Sequence, residues 1–167
     1  MAEYAISQGH KHLAVISSQY RIDDPNHRLE GIRNAVDNAK LSLTESMIEY
    51  ATPDQEGGEL AMQNLLATGA QFTAVLAYND AMASGAMTML QDHGICVPDQ
   101  VSVMGYDDVL LAKYCRPKLT TLRYPVEMMA AKAAELALKY ASGSKPEDGL
   151  TFKYTPTVVK RDSIIRI

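Results

Sequence analysis

The sequence has little of what marks several common classes of protein. Its only cysteines are Cys96 and Cys115, without C-x-x-C spacing or a histidine pattern beside them, so neither a disulfide framework nor a zinc site is indicated. No apolar stretch approaches the roughly 20 residues that span a bilayer. The first residues also lack the basic start and apolar core of a signal peptide. We therefore expect a cytoplasmic protein without a membrane segment.

Charge and catalytic motifs are equally sparse. The formal net charge is −4 without a block of like charges, so nothing in this chain would hold DNA by charge alone. The sequence has no G-x-S-x-G turn, no G-x-x-x-x-G-K phosphate loop and no G-x-G-x-x-G dinucleotide turn. His10 and His12 are expected to be exposed, because no acidic residue or cysteine completes a metal-ligand set. We therefore expect neither an enzyme nor a bound cofactor or metal.

Apolar residues, by contrast, are plentiful and regularly spaced. The 167 residues are 47% hydrophobic, which suits one domain or slightly more. Short apolar runs predict strands, and apolar stripes at spacings of three and four predict helices between them. The predicted strands are 13–16, 47–50, 72–77 and 101–104, and the predicted helices are 1–8, 26–39, 56–67 and 79–93. This alternation indicates an α/β fold with a doubly wound parallel sheet.

The pattern changes after residue 117. An extended β-branched run at 119–123 leads into Pro125 and a predicted helix over 126–140, and residues 152–159 return as one or two strands. The earlier helix at 79–93 carries more small apolar residues than one inward face needs. Such a helix either lies deep in the core or contributes a surface for self-association.

Two predicted strands end in crowded polar clusters. Strand 72–77 stops at Tyr78-Asn79-Asp80, and strand 101–104 stops at Gly105-Tyr106-Asp107-Asp108. Ligands of open parallel sheets bind beyond the carboxyl ends of the strands, so these clusters predict one shared pocket. Asn79, Asp107 and Arg28 offer planar polar groups that donate and accept hydrogen bonds, which suits the adjacent hydroxyls of a sugar.

On spacing alone, a structural role is the favoured interpretation of the same residues. Asn79 can cap the helix that follows, Asp107 can form a tight turn, and Arg28 can be a solvated helix residue. We do not expect a pair of catalytic carboxylates at residues 107 and 108, because adjacent residues at a strand end point to different sides. Asp108 is instead expected to cap a helix.

Five short segments of the sequence form a recognisable series. They are Gly9-His-Lys-His-Leu-Ala-Val-Ile16, Arg28-Leu-Glu-Gly31, Tyr78-Asn-Asp80, Val103-Met-Gly-Tyr-Asp-Asp108 and Pro117-Lys-Leu-Thr-Thr121. Together they resemble the effector-binding region of the LacI/GalR family of bacterial transcriptional regulators, over almost the whole chain. Residues 122–125 and 154–161 most resemble family members that regulate galactose operons.

This resemblance implies a periplasmic-binding-protein-type fold of two Rossmann-like lobes, with a sugar held in the cleft between them. Arg28, Asn79 and Asp107 match effector-binding motifs, and Tyr78 and Tyr124 lie near the same positions. The implied function is the sugar-responsive effector-binding and dimerisation region of a DNA-binding repressor, with a galactose-type effector and a homodimer as the assembly. A periplasmic sugar-binding protein of a transport system is the alternative, because it shares the fold.

The sequence departs from the full family pattern in having no helix-turn-helix, no hinge helix and no first half of the N-terminal lobe. We therefore expect residues 1–117 with 154–167 to form the C-terminal effector-binding lobe. Residues 118–153 are expected to be a crossing segment, a strand and a helix, that belongs to the N-terminal lobe. Operator DNA would be bound only through a domain outside this chain, and half a cleft should bind sugar weakly.

Overall fold

A single sheet forms the centre of the chain. The computed structural model describes residues 1–20, 23–143, 145 and 150–167, without the side chains of 23–26. The strands are β1 (Leu13–Ser18), β2 (Ile48–Ala51), β3 (Ala74–Ala77), β4 (Ser102–Tyr106), β5 (Thr120–Arg123) and β6 (Thr157–Val159). Their order across the sheet is β2-β1-β3-β4-β5-β6. The pairs from β2 to β5 are parallel, and β6 runs antiparallel to β5.

Helices cover both faces of this sheet. The helices that do so are α1 (Ala2–Ser7), α2 (Asp23–Asn38), α3 (Gln55–Ala67), α4 (Asp80–Asp92) and α5 (Leu110–Tyr114). The chain also has α6 (Val126–Ala141) and a 3₁₀ turn at Glu45–Met47. Buried residues of α1 and α2 form a core with one face of the strands, and those of α3, α4 and α5 form a core with the other face. No helix among the described residues is long and apolar enough to cross a membrane.

Successive strand residues alternate between these two cores. In β3, Val75 packs with α3 and α4, while Leu76 packs with α1 and α2. Both side chains are completely buried. A parallel sheet that is covered on both faces requires apolar residues at consecutive positions, which explains the unbroken apolar runs in the sequence. The predicted doubly wound α/β fold is confirmed.

Helices α3 and α4 approach each other until their backbones meet. A Cβ atom added to Gly85 of α4 would lie 2.0 Å from the carbonyl oxygen of Gln55, and one added to Gly58 of α3 would lie 2.2 Å from that of Met82. The apolar residues of α4 are largely buried in this contact and against the sheet. Of the two alternatives for this helix, a position deep in the core therefore accounts for most of its small apolar residues.

Replacing Gly85 with alanine should destabilise the chain, because the added methyl group would overlap the Gln55 carbonyl oxygen. We expect a loss of at least about 2 kcal/mol in the free energy of unfolding. Gly31→Ala is the matched control: it lies in α2 with nothing within 4 Å of its added methyl group, and should stabilise the chain by up to about 1 kcal/mol. Urea unfolding followed by circular dichroism measures both variants. Equal midpoints would contradict the close approach.

The expected assignment of residues 118–153 to another lobe is wrong for the strand in that segment. Residues 118–153 were expected to leave this lobe, but β5 pairs in parallel with β4, and Gly105 lies opposite Thr121. Leu119 and Thr121 are completely buried. The β-branched run thus supplies the next strand of the same sheet. Residues 144 and 146–149 of the segment lie outside the described residues.

Helix α6 differs from the others in having no buried residue. Its apolar side chains Val126, Met129 and Leu138 are exposed. Lys132 of this helix places its ammonium group 5.0 Å from the centre of the Phe152 ring. The assignment of α6 to a second lobe stays a prediction.

His10 is buried, contrary to the expectation, whereas His12 is exposed as expected. The His10 Nδ1 is 3.0 Å from the Thr73 hydroxyl oxygen, and Nε2 is 3.1 Å from the Ile165 carbonyl oxygen. Burial lowers the pKa of the imidazole. His10 therefore ties the amino end of the sheet to the C-terminal residues.

Candidate functional site at the carboxyl ends of the strands

Arg28 lies between two tyrosine rings at the carboxyl edge of the sheet. Its guanidinium carbon is 4.3 Å from the centre of the Tyr78 ring and 4.0 Å from that of the Tyr106 ring. Arg28 Nη1 also donates a 2.8 Å hydrogen bond to the Tyr78 carbonyl oxygen. Tyr78 follows β3 and Tyr106 ends β4, so neighbouring strands hold a side chain of α2 between their last residues. Contacts of this kind fix the plane of the guanidinium group.

Asp107 joins this group from the turn after β4. Its Oδ1 is 3.8 Å from Nη1 of Arg28, and the two side chains are 24% and 22% exposed. The Asp107 N–H donates a 2.9 Å hydrogen bond to the Leu122 carbonyl oxygen of β5. The carboxylate and the guanidinium group are therefore fixed beside each other while both remain accessible to a ligand.

Tyr124 reaches the group through Tyr106. The centres of the two rings are 5.7 Å apart and their planes are tilted by 33°, a geometry within the usual range for aromatic pairs. The structure thus brings together four of the five predicted site residues, Arg28, Tyr78, Asp107 and Tyr124. Tyr106 was not among them, although it directly precedes Asp107 in the segment that resembles the family. Whether these residues bind an effector stays a prediction.

Asn79 is held away from this group by two hydrogen bonds. Its Oδ1 accepts a 2.8 Å bond from the Met82 N–H and caps α4. Its Nδ2 donates a 2.8 Å bond to the Pro53 carbonyl oxygen. Asn79 therefore has the structural role that the sequence also allowed, as the cap of the following helix. A sugar contact would have to use the one remaining donor and the remaining lone pair of the amide.

Asp80 is a completely buried carboxylate beside the site. Its Oδ1 accepts a 2.5 Å hydrogen bond from the Thr121 hydroxyl, and its Oδ2 accepts a 2.9 Å bond from the Val109 N–H. These bonds join the start of α4, strand β5 and the loop after β4. Burial raises the pKa of Asp80 to about 6, with a smaller contribution from the negative charges of Asp107 and Asp108, although both hydrogen bonds act in the opposite direction.

Asp108 does not cap α5, contrary to the expectation, because the cap position is Val109. Its carboxylate instead accepts hydrogen bonds from Arg123 and Arg161, and its side chain is 3% exposed. Burial by itself would raise the pKa of Asp108. The two guanidinium groups outweigh that effect and hold the pKa below its ordinary value.

A cavity of about 420 Å³ lies between α2 and the sheet. Arg28, Tyr78 and Tyr106 belong both to the polar group and to the cavity wall. The predicted site residues Asn79, Asp107 and Tyr124 do not line the cavity. Much of its remaining wall is apolar, including Val15 and Leu122. The polar group and the cavity therefore share part of their lining. Within the described ranges, no three His, Cys, Asp or Glu side chains gather as a metal site.

The chain is similar to proteins of known class. The family described as periplasmic binding protein-like domain matches residues 2–164. The HTH-type transcriptional regulator GalR of Salmonella typhimurium is 45% identical over 161 residues, which are 96% of this chain and 47% of that relative. GalS of the same species is 44% identical over 159 residues, which are 95% and 46% of the two chains.

A solved structure shows the same fold. The crystal structure of a sugar-binding transcriptional regulator of the LacI family from Escherichia coli, complexed with phosphate, has a TM-score of 0.89 and 31% identity. The match covers 99% of this chain and 59% of that one. The chain therefore belongs to the periplasmic binding protein-like domain family and is an effector-binding region of the LacI/GalR type. It spans about half the length of the curated relatives that it matches.

The raised pKa of Asp80 predicts how stability depends on pH. The folded chain binds this proton more tightly than the unfolded chain, whose carboxyl pKa is 3.8, so ionisation of Asp80 destabilises the fold as pH rises from about 4 to about 6. The difference between a pKa of 3.8 in the unfolded chain and about 6 in the folded chain corresponds to about 3 kcal/mol in the free energy of unfolding. Asp80→Asn keeps an oxygen for the Val109 N–H and does not ionise. Its free energy of unfolding should therefore not show this fall between about pH 4 and about pH 6.

Urea unfolding at a series of pH values checks this prediction. Asp99→Asn removes an exposed carboxylate and should follow the wild type. If the free energy of unfolding fell equally in Asp80→Asn and the wild type over this range, the titration would have to be assigned to another group.

Proposed function

We propose that this chain is the sugar-responsive effector-binding and dimerisation region of a transcriptional repressor, with a galactose-type sugar as the effector. The observation that carries this proposal is the Arg28 guanidinium between Tyr78 and Tyr106 with the Asp107 carboxylate beside it. A fixed fork of donors and a carboxylate suit adjacent sugar hydroxyls, and tyrosine rings suit the apolar face of a sugar. The proposed role is binding, without a catalysed reaction.

The chain would form one wall of the sugar cleft. Arg28, Tyr78, Asp107 and Tyr124 lie at one edge of the sheet, where ligands of such sheets bind. Tyr124 directly follows β5 and precedes α6, so with α6 in a second lobe the polypeptide would leave this lobe at the site itself. A second lobe attached through α6 would supply the opposite wall. Sugar binding would then change how the two lobes are arranged.

The most specific part of the proposal is the identity of the effector, a galactose-type sugar. It is supported by the similarity to GalR and GalS and by residues 122–125 and 154–161, which resemble family members that regulate galactose operons. The similarity to the regulators GalR and GalS also favours action on DNA in the cytoplasm over a periplasmic role. Operator DNA would be bound by another part of the polypeptide, since this chain matches about half of GalR.

A homodimer is the proposed assembly. Three large apolar side chains on α3 and α5, which cover the same face of the sheet, are more than half exposed: Leu60, Leu110 and Tyr114. Large exposed apolar side chains on one face of a domain are typical of a protein contact surface. A second copy of the chain is the occupant that the function requires, because operator DNA is read by symmetric pairs of DNA-binding domains.

The test is a chimera in which this chain replaces the matching residues of Salmonella GalR. With a reporter gene behind a GalR operator, the chimera should repress transcription and galactose should relieve that repression. Asp107→Ala should abolish the relief without changing repression, because a partly exposed turn residue contributes little to the core. Asp162→Ala, which removes an exposed carboxylate away from the site, should respond like the unmodified chimera.

Each other outcome has a definite meaning. Relief by a different sugar would replace galactose as the effector. Relief by no sugar would overturn the sugar-responsive role. If Asp107→Ala lowered the melting temperature of the chain to the point of unfolding, the structural role of this residue would be favoured instead.

A further inference from the structure

Asp108 binds two arginines from different parts of the chain. Its carboxylate accepts a 2.5 Å hydrogen bond from Nε of Arg123, the last residue of β5, and another from Arg161, which follows β6. The Asp108 and Arg161 side chains are 3% and 11% exposed. The Asp108–Arg161 pair is therefore a buried ion pair, whereas the Arg123 side chain is 55% exposed. Removing the carboxylate would leave the charge of Arg161 uncompensated.

Arg161 extends this cluster to the start of β5. Its Nη1 donates a 2.7 Å hydrogen bond to the Leu119 carbonyl oxygen, and its backbone N–H donates a 2.9 Å bond to the Thr120 hydroxyl oxygen. The turn after β4, the strand that leads to α6 and the segment that follows β6 are therefore joined by one carboxylate and its two partners. We name Asp108, Arg123 and Arg161 the arginine clamp.

The turn that the arginine clamp holds has an unfavourable backbone conformation. Asp107 has a φ of 112° and Asp108 a φ of 57°, in a region that non-glycine residues rarely adopt. Such a conformation is destabilising and persists only where surrounding contacts determine it. The bond from the Asp107 N–H to Leu122 and the arginine clamp are contacts that hold this turn.

We propose that Asp108 is a positioning residue: the arginine clamp holds the strained turn so that the Asp107 carboxylate faces Arg28 and the effector. This inference rests on the proposed function for the identity of the ligand. It also makes the clamp a physical link between the segments that lead to and from residues 124–156, because Arg123 ends β5 and Arg161 follows β6. A sugar that moves Asp107 would move both segments with it.

Hydrogen exchange measured by NMR tests the positioning without any ligand. In the wild-type chain the Asp107 amide is protected by its bond to Leu122. Asp108→Asn should raise its exchange rate by about tenfold or more. Asp162→Asn, which removes an exposed carboxylate next to Arg161, should leave the rate unchanged. Equal rates in the wild type and Asp108→Asn would overturn the proposal.

Calorimetric titration of the GalR chimera with galactose tests the consequence for binding. Asp108→Asn should weaken galactose affinity by about tenfold or more, and Asp162→Asn should not weaken it. Arg161→Lys keeps the charge but loses the planar fork, so its affinity should fall between these two. Val101→Ala removes buried methyl groups at the opposite end of the sheet and controls for a general loss of stability.

The outcomes separate the two proposals. Unchanged affinity in Asp108→Asn, or an equal loss in Val101→Ala, would overturn the positioning role. If the unmodified chimera bound no sugar, the proposed function would fail, and hydrogen exchange at Asp107 would still decide whether Asp108 positions the turn. Should Asp108→Asn fail to fold, Arg161→Lys takes its place in both measurements.

Discussion

The buried carboxylate of Asp80 fixes the edge of the sheet on which the candidate site is built. Its bonds to Thr121 and Val109 join α4, β5 and the loop after β4 at one point. Gly105 makes room for this carboxylate, because a Cβ at that position would lie 2.3 Å from Asp80 Oδ1. Burying an ionisable group is unfavourable, and the two hydrogen bonds offset part of that cost. Tyr78 lies just before α4, Asp107 lies in the loop after β4, and Tyr124 directly follows β5, so the elements that meet here flank the candidate site.

Three acidic residues at this edge have three different environments. Asp80 is buried and bonded to uncharged groups, so its pKa is raised. Asp108 is buried between two arginines, so its pKa is lowered and its charge is compensated. Asp107 stays partly exposed beside Arg28, where a ligand can reach it. One carboxylate thus joins the structural elements, one holds the turn, and one remains accessible for a ligand.

Local sequence signals predicted the helices, the strands and the position of the site. Contacts between residues far apart in the sequence determined which strands pair and which side chains are buried. Apolar spacing predicted the strands, and the rule for parallel sheets placed ligand contacts at their carboxyl ends. No local signal showed that β5 pairs with β4, because a β-branched run predicts a strand without its neighbour. The burial of His10 depends on Thr73 and Ile165, which are 63 and 155 residues away. Tyr106 likewise becomes a site residue only when Arg28 packs on its ring.

The central claim is that the strand ends form one wall of a sugar-binding cleft. A crystal structure of the GalR chimera with galactose tests it most directly. We expect sugar hydroxyls within hydrogen-bond distance of the Asp107 carboxylate and the Arg28 guanidinium, with the bonds from Asp80 to Thr121 and Val109 unchanged. Galactose bound away from Asp107 and Arg28, or bound only by residues of the other lobe, would contradict the account.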